Sequence, residues 1–342
     1  MNMLAFAINA AEKAPLTDGM TLAGIEFLCG RTSRTLASVP EQHEIDFAAA
    51  MAGYPIATHT DDANRQHYEV PASFFDIVLG PQRKYSCCYY ADEKTTLAEA
   101  ETLALRKTVE HAGIEDGMDI LELGCGWGSL SLYLARHFPN SKITSVSNSH
   151  SQRQHILDQA SQQGVTNLNV VTADMNVFAT DARYDRVVSV EMFEHMSNWR
   201  MLLERVKGWL KSDGKLFIHV FTHKSRSYRF DPKDPSDWIA QHFFTGGVMP
   251  AHTLPHRFGD LFTVEKEVRW SGQHYQRTAF DWLANFDRNA DRIQPILKSV
   301  YGRDASLWNR RWRLFFLSTA GLFGYDKGAV WGVGHYLMKP TR

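Results

Sequence analysis

The chain has almost no excess of charge of either sign. Across 342 residues, 37 basic side chains face 38 acidic ones, for a net charge of −1. That balance offers no electrostatic footprint for nucleic acid or an anionic bilayer. Long hydrophobic runs are missing too; none approaches the roughly 18 residues a membrane span requires, so no stable membrane insertion is expected. The opening "MNMLAFAINAAEKAP" holds no basic residue before Lys13. It lacks the charged front of a secretory leader and reads as an amphipathic helix. Cysteine is scarce: the four present include the adjacent Cys87 and Cys88, and form neither a disulfide framework nor a CxxC metal pair. The expectation is a reducing cytoplasm. His252 and His256 stand four apart, but Pro255 between them argues against a helix offering both to a metal. No metal is expected.

What the chain does have is apolar content, 44%, ample for a core. Repeats and Gly/Ser linkers are absent. Up to about residue 110 the pattern is helical, broken by Pro55 and Pro71, with a tight turn in "LGPQRKYSCCYY". From there β-type runs ("MDILELG", "KITSVSN", "LNVVTAD", "DRVVSVE", "GKLFIHVF") alternate with helical ones such as "SLSLYLARHF" and "HSQRQHILDQASQQG". Such alternation implies a parallel sheet covered on both faces. Residues 223–258 break the rhythm with charges, prolines and a Gly-Gly. Two further β-runs, "LFTVEKEVRW" and "VWGVGHYLM", flank a helical stretch from about 278 to 323. The long connections can fold over one edge of the sheet as a cap. We therefore expect one body with three parts: an N-terminal helical region and lid (1–90), a sheet core (91–222), and cap insertions with the last strands (223–342).

"LELGCGWGSLSLYLARHF" sets Gly124, Gly126 and Gly128 between the first core strand and a helix. This GxGxG differs from the GxGxxG of dinucleotide enzymes. Glycines here let backbone approach a ligand closely, above a helix N-terminus. Glu122, on the strand just before, is placed to receive an ammonium group. The second strand ends in "SVSNSHSQ", where Asn148, Ser149 and Gln152 can bond ribose hydroxyls. The third ends in "TADM", with Asp174 for an adenine amino group and Met175 to pack on the ring. Ammonium, ribose and adenine partners in that order fit S-adenosylmethionine (SAM), bound outside the carboxyl ends of the strands.

The sequence resembles the class I SAM-dependent methyltransferases, and within them the cyclopropane-fatty-acid-synthase superfamily. "YSCCYY", "LELGCGWGSL", "EMFEHM" and "HFFTGGVMP" carry that resemblance. "GQHYQRT" and "FGYDKGAVWGVGHYLMKP" are similar to the coclaurine N-methyltransferase branch, whose members methylate benzylisoquinoline amines. The similarity covers roughly residues 65 to 342. It implies an α/β, Rossmann-like fold: a seven-stranded, mostly parallel sheet with helices on both faces, N-terminal helices and a helical cap. It further implies that Tyr85 and Ser86 close over the methionine end of SAM. Cys87, Glu194, His219 and Tyr275 match positions that hold a bicarbonate ion in cyclopropane synthases. Asn148 departs from the acid usual at its strand end; an amide bonds ribose more weakly.

"VSVEMFEHMSNW" puts Glu191, Glu194 and His195 at the end of a buried strand, where carboxylates are costly without a partner. An amine acceptor supplies one. With a pKa of about 10, freeing its base at pH 7 costs about 4 kcal/mol. Two carboxylates attract its ammonium form, and a carboxylate or imidazole accepts the departing proton. The resemblance agrees: this trio matches the substrate-facing residues of the coclaurine-type enzymes. The alternative is a capping or polar-network role. Among the aromatics Phe243, Phe244, Trp282, Trp312, Phe315, Phe316 and Trp331, most belong to the core; Phe244, Trp312 and Phe315 are expected beside the acceptor. The expected function is SAM-dependent methylation of a small aromatic or cyclic amine, tetrahydroisoquinoline-like or arylalkyl. The runner-up is methyl transfer to an unsaturated fatty acyl lipid. Monomer and homodimer both stay open.

Overall fold

The computed structural model describes residues 8, 10, 12–14, 16–58 and 70–342. The amphipathic helix expected over the first fifteen residues falls largely outside them. The region before the sheet is helical, with α1 (Asp18–Ala37), α2 (Gln42–Ala50), α3 (Ala72–Val78) and α4 (Leu97–Ala112). Pro71 stands at the entry to α3, where a missing N–H leaves no helical bond unmade. α4 opens with a capping box: the Thr96 hydroxyl accepts the Glu99 N–H, and the Glu99 carboxylate accepts the Thr96 N–H.

Strands and helices then alternate as the sequence pattern requires: β1 (Asp119–Leu123), α5 (Ser129–His137), β2 (Lys142–Ser147), α6 (His150–Gln162), β3 (Leu168–Thr172), β4 (Tyr184–Val190), α7 (Trp199–Trp209) and β5 (Leu210–His223). Residues 223–258 form an excursion holding the short ribbon of β6 (Tyr228–Arg229) and β7 (Val248–Met249), with α8 (Trp238–His242) between them. β8 (Phe262–Ser271) and β9 (Trp331–Pro340) flank three helices, α9 (Gly272–Arg288), α10 (Ala290–Tyr301) and α11 (Ala305–Gly324). The single helical stretch expected there is broken at Asn289 and Gly302, and begins earlier, at Gly272.

Seven strands make one sheet in the order β3-β2-β1-β4-β5-β9-β8. The first five are parallel, while β9 runs antiparallel to both of its neighbours. Period-two alternation sends Leu121, Val187 and Leu216 to one face, against Trp199, Leu202 and Val206 of α7. Ile120, Val188 and Phe217 go to the other, against α4 and α5. Strand order reverses between β1 and β4, so a crevice opens above their carboxyl ends. The cap closes it. Arg313 of α11 ties the lid together by bonding Asp18 of α1 and Asp287 of α9.

Candidate active site

A cavity of about 950 Å³ fills the crevice between the strand ends and the cap. Its floor holds Glu122, Gly124, Gly126, Glu191, Glu194 and His195; α1, α9 and α11 supply its upper walls. A smaller lobe of about 90 Å³ shares the glycine turn and runs past Asn148, Asp174 and Met175.

The glycine turn is built for approach. Gly124, Gly126 and Gly128 have φ of +76°, +52° and +81°, the left-handed region that glycine alone enters freely. Gly124 and Gly126 face the cavity, with open space where a Gly126 Cβ would lie. Gly128 does not: it packs on Ile156 and turns the chain into α5. Ser131 and Ser145 hold the Glu122 carboxylate, donating to Oε2 at 2.5 and 2.8 Å. Burial pushes this acid up to about 7, against the pull of both hydroxyls. Asn148 Oδ1 is buried with no hydrogen-bond partner among the described residues. Gln152 accepts from Ser147 and lines both lobes. Ser149, by contrast, caps α6 and bonds Ser151. It does not line either lobe of the cavity.

The acidic cluster differs most from expectation. Glu191 follows β4 with φ +46°, a conformation costing a non-glycine residue roughly 1–2 kcal/mol. Its carboxylate is not open to a ligand on all sides. Oε1 accepts from the Cys87 N–H at 2.8 Å and meets His219 Nε2 at 3.2 Å, while Oε2 accepts from the Tyr275 hydroxyl at 2.6 Å. Burial raises its acid range, and the nearby Lys84 ammonium opposes that rise. Glu194 and His195 lie in a short 3₁₀ turn, Phe193–His195, with Glu191 outside it. Glu194 lines the cavity, and both its oxygens are buried and have no hydrogen-bond partner among the described residues. Burial, then the Glu191 charge, drives this acid well above the carboxylate range. His195 packs against Phe244, ring centroids 4.5 Å apart.

Cys87 and His219, expected to touch substrate or a bicarbonate ion, stand behind Glu191 and are fully buried. The donors that resemblance assigned to an ion hold the chain's own carboxylate instead. Tyr275 shares that task and also lines the cavity. Trp312 is core, packed among Phe74, Phe243 and Phe316. Phe244 and Phe315 line the cavity, with Trp282 beside them. Tyr85 and Ser86 reach its edge on a turn whose Gln82 and Lys84 N–H groups donate to Glu101. Lys84, whose Nζ donates to Ser86 and to the Cys87 carbonyl, was missed because a lysine in a polar turn reads as exposed. His252 and His256 do meet, one on each oxygen of Glu267.

The sequence matches the mycolic acid cyclopropane synthetase family over residues 57–331. It is 38% identical to (S)-coclaurine N-methyltransferase of Thalictrum flavum subsp. glaucum, over 83% of this chain and 80% of that one. The chain belongs to this family, in its coclaurine N-methyltransferase branch. The crystal structure of a coclaurine N-methyltransferase bound to N-methylheliamine and S-adenosylhomocysteine superposes with a TM-score of 0.93, at 32% identity, covering 97% of this chain and 99% of that one. A lipid-modifying relative, the cyclopropane-fatty-acyl-phospholipid synthase of Escherichia coli, is more distant at 28% identity over 71% of this chain and 65% of that one. As a member of the branch, the protein is a SAM-dependent N-methyltransferase. No helix among the described residues is long and apolar enough to cross a membrane.

Proposed function

We propose that the acceptor is a small cyclic or arylalkyl amine, tetrahydroisoquinoline-like, whose ammonium pairs with Glu194. The observation that carries this reading is the pair of Glu194 oxygens, buried and unpartnered in a ring-lined cavity. A buried carboxylate without a donor is costly, and a cationic guest removes that cost. An alkene offers it nothing, which disfavours the acyl-lipid alternative.

The turn at Gly124 and Gly126, Glu122, Asn148, Gln152, Asp174 and Met175 suits SAM: a close-approach turn, a buried acid for its ammonium and an orphaned amide oxygen for its ribose. When bound, SAM supplies an electrophilic methyl group. The chain's residues do the rest. The charge of the arriving acceptor favours the ionised form of Glu194, which then pairs with the ammonium in a dry pocket and takes its proton. His195 and Phe244 flank the freed nitrogen, and Phe315 and Trp282 hold the rings, which fixes the line of attack. Glu191, held by three donors, supplies a second negative charge beside the cation. Tyr85 and Ser86 close the methionine end.

A screen with methyl-labelled SAM tests the reading, using tetrahydroisoquinolines, arylalkylamines and unsaturated phospholipid vesicles as acceptors. Label in the amine fractions alone is expected. Conversion of vesicle lipid with every amine inert would overturn it.

A further inference from the structure

Three buried histidines outside the cavity stand in a line that leads away from it. His219 on β5 meets Glu191 Oε1 through Nε2 at 3.2 Å. Its Nδ1 lies 2.8 Å from Nε2 of His335, the residue paired with it on β9. Nδ1 of His335 lies 2.8 Å from Nδ1 of His111, in the last turn of α4. Exposure rises outward, from 0% at His219 through 1% at His335 to 8% at His111. Trp270 and Phe217 pack against the middle ring, and Trp270 also packs against His219. An aromatic sleeve thus keeps water from the inner contacts.

We propose that this chain connects Glu191 to solvent, so that Glu191 can release its proton when a cationic acceptor fills the cavity and regain it when the acceptor leaves. The inference rests on the amine reading above. A cation entering a buried site is stabilised by a neighbouring acid that becomes negative at that moment. The acceptor itself blocks the direct route for that proton through the cavity.

The hydrogen-bond logic is closed. Burial holds His219 and His335 well below the usual imidazole range, with Lys84 and their neighbouring histidines adding to the shift, so both rings are neutral with one N–H each. His111 is lowered by burial and by Lys266 and Lys107, against Glu110. With Glu191 protonated on Oε1, the O–H donates to His219 Nε2. His219 Nδ1–H then donates to His335 Nε2, and His335 Nδ1–H donates to His111 Nδ1. The only N–H left on His111 is Nε2–H. Release moves one proton across each contact: from Oε1 to His219 Nε2, from His219 Nδ1 to His335 Nε2, and from His335 Nδ1 to His111 Nδ1. His111 Nε2 gives its proton to water. Glu191 ends as a carboxylate, and every ring ends neutral in its other tautomer. Return of a proton to His111 Nε2 restores the first set.

A permanent cation, N,N-dimethyltetrahydroisoquinolinium, tests this because it carries no proton to lose. It is mixed with enzyme and S-adenosylhomocysteine near pH 7 in dilute buffer with an indicator dye. The wild type is expected to release the Glu191 proton as the cation binds, beside any that Glu194 gives up. His335→Gln and His111→Gln should bind the cation within a few-fold of wild type but release that proton at least about tenfold more slowly, a fraction of what loss of a direct acid–base group costs. Equal rates in folded variants would overturn the proposal. Histidine ¹⁵N spectra of the unmodified protein give a second reading that needs no variant. The protonated nitrogens are expected to change from Nδ1, Nδ1 and Nε2 to Nε2, Nε2 and Nδ1 at His219, His335 and His111 on binding. Fixed tautomers, or an imidazolium at His219 or His335, would refute the chain. A cation that does not bind at all would instead defeat the amine reading, while the resting tautomers still test the histidine line.

Discussion

Glu191 and His219 are bonded to each other twice: the Glu191 N–H donates to the His219 carbonyl at 2.8 Å, and the Glu191 carboxylate meets the His219 ring at 3.2 Å. The backbone bond continues the β4–β5 ladder one residue past the strand; the side-chain bond turns the carboxylate back over it. A glutamate in left-handed backbone is thereby locked against the base of the cavity.

The two acids are therefore expected to behave differently when neutralised. Glu194→Gln keeps the shape but removes the charge with no chain partner, so kcat/KM for the amine should fall by about 10²–10³. SAM affinity, read by calorimetry, should not change. A parallel loss of SAM affinity would place Glu194 in a structural network.

Glu191→Gly removes the left-handed backbone cost and frees Cys87 N–H, His219 and Tyr275 together. Activity on amines should drop by at least about a hundredfold. Added bicarbonate, planar and anionic like the lost carboxylate, should restore part of it. A variant indifferent to bicarbonate would show that those donors do not form an anion site without Glu191.

For the glycine turn, Gly124→Ala should be more harmful than Gly126→Ala. A Cβ at Gly124 would come within 2.7 Å of Met192, whereas one at Gly126 meets nothing within 4 Å. Both pay the left-handed backbone cost of about 1 kcal/mol, and overpacking adds a further 1–3 kcal/mol at Gly124 alone. Thermal melts of the two variants check the order.

SAM affinity should rise with pH and level off above about 7, as Glu122 ionises to meet the ammonium. Calorimetry across pH 5.5–8 reads this, with Glu122→Gln giving a flat, weaker profile. Stability of the ligand-free protein should run the other way. Because folding raises this acid from 4.5 to about 7, its contribution is complete below 4.5 and is lost as pH rises through 7, about 3 kcal/mol in all. Glu122→Gln should therefore melt higher than wild type at pH 8.

The sheet and the glycine turn were legible because their signals are local: alternation, a strand-end acid, a GxGxG before a helix. Glu194 was legible in type and place. The hold on Glu191 was not, because its donors come from Cys87 and Tyr275, 104 and 84 residues away, and the resemblance suggested an ion between them. The His111–His335 contact spans 224 residues, and the His219–His335 contact needs the β5–β9 register to be seen at all. Trp312 and Phe315 sit three apart on one helix, and sequence does not tell which of the two faces inward.

The cavity wall contributed by α1, including Thr21, Gly24, Ile25 and Leu28, comes from a segment that supplies none of the proton-handling groups. Part of the acceptor wall is thus encoded apart from the residues that handle protons. Substitutions on α1 can drift, and with them the range of amines admitted, while the carboxylates and the methyl-donor site stay unaltered. An enzyme organised this way can change the acceptors it admits through a wall that leaves its proton-handling groups in place.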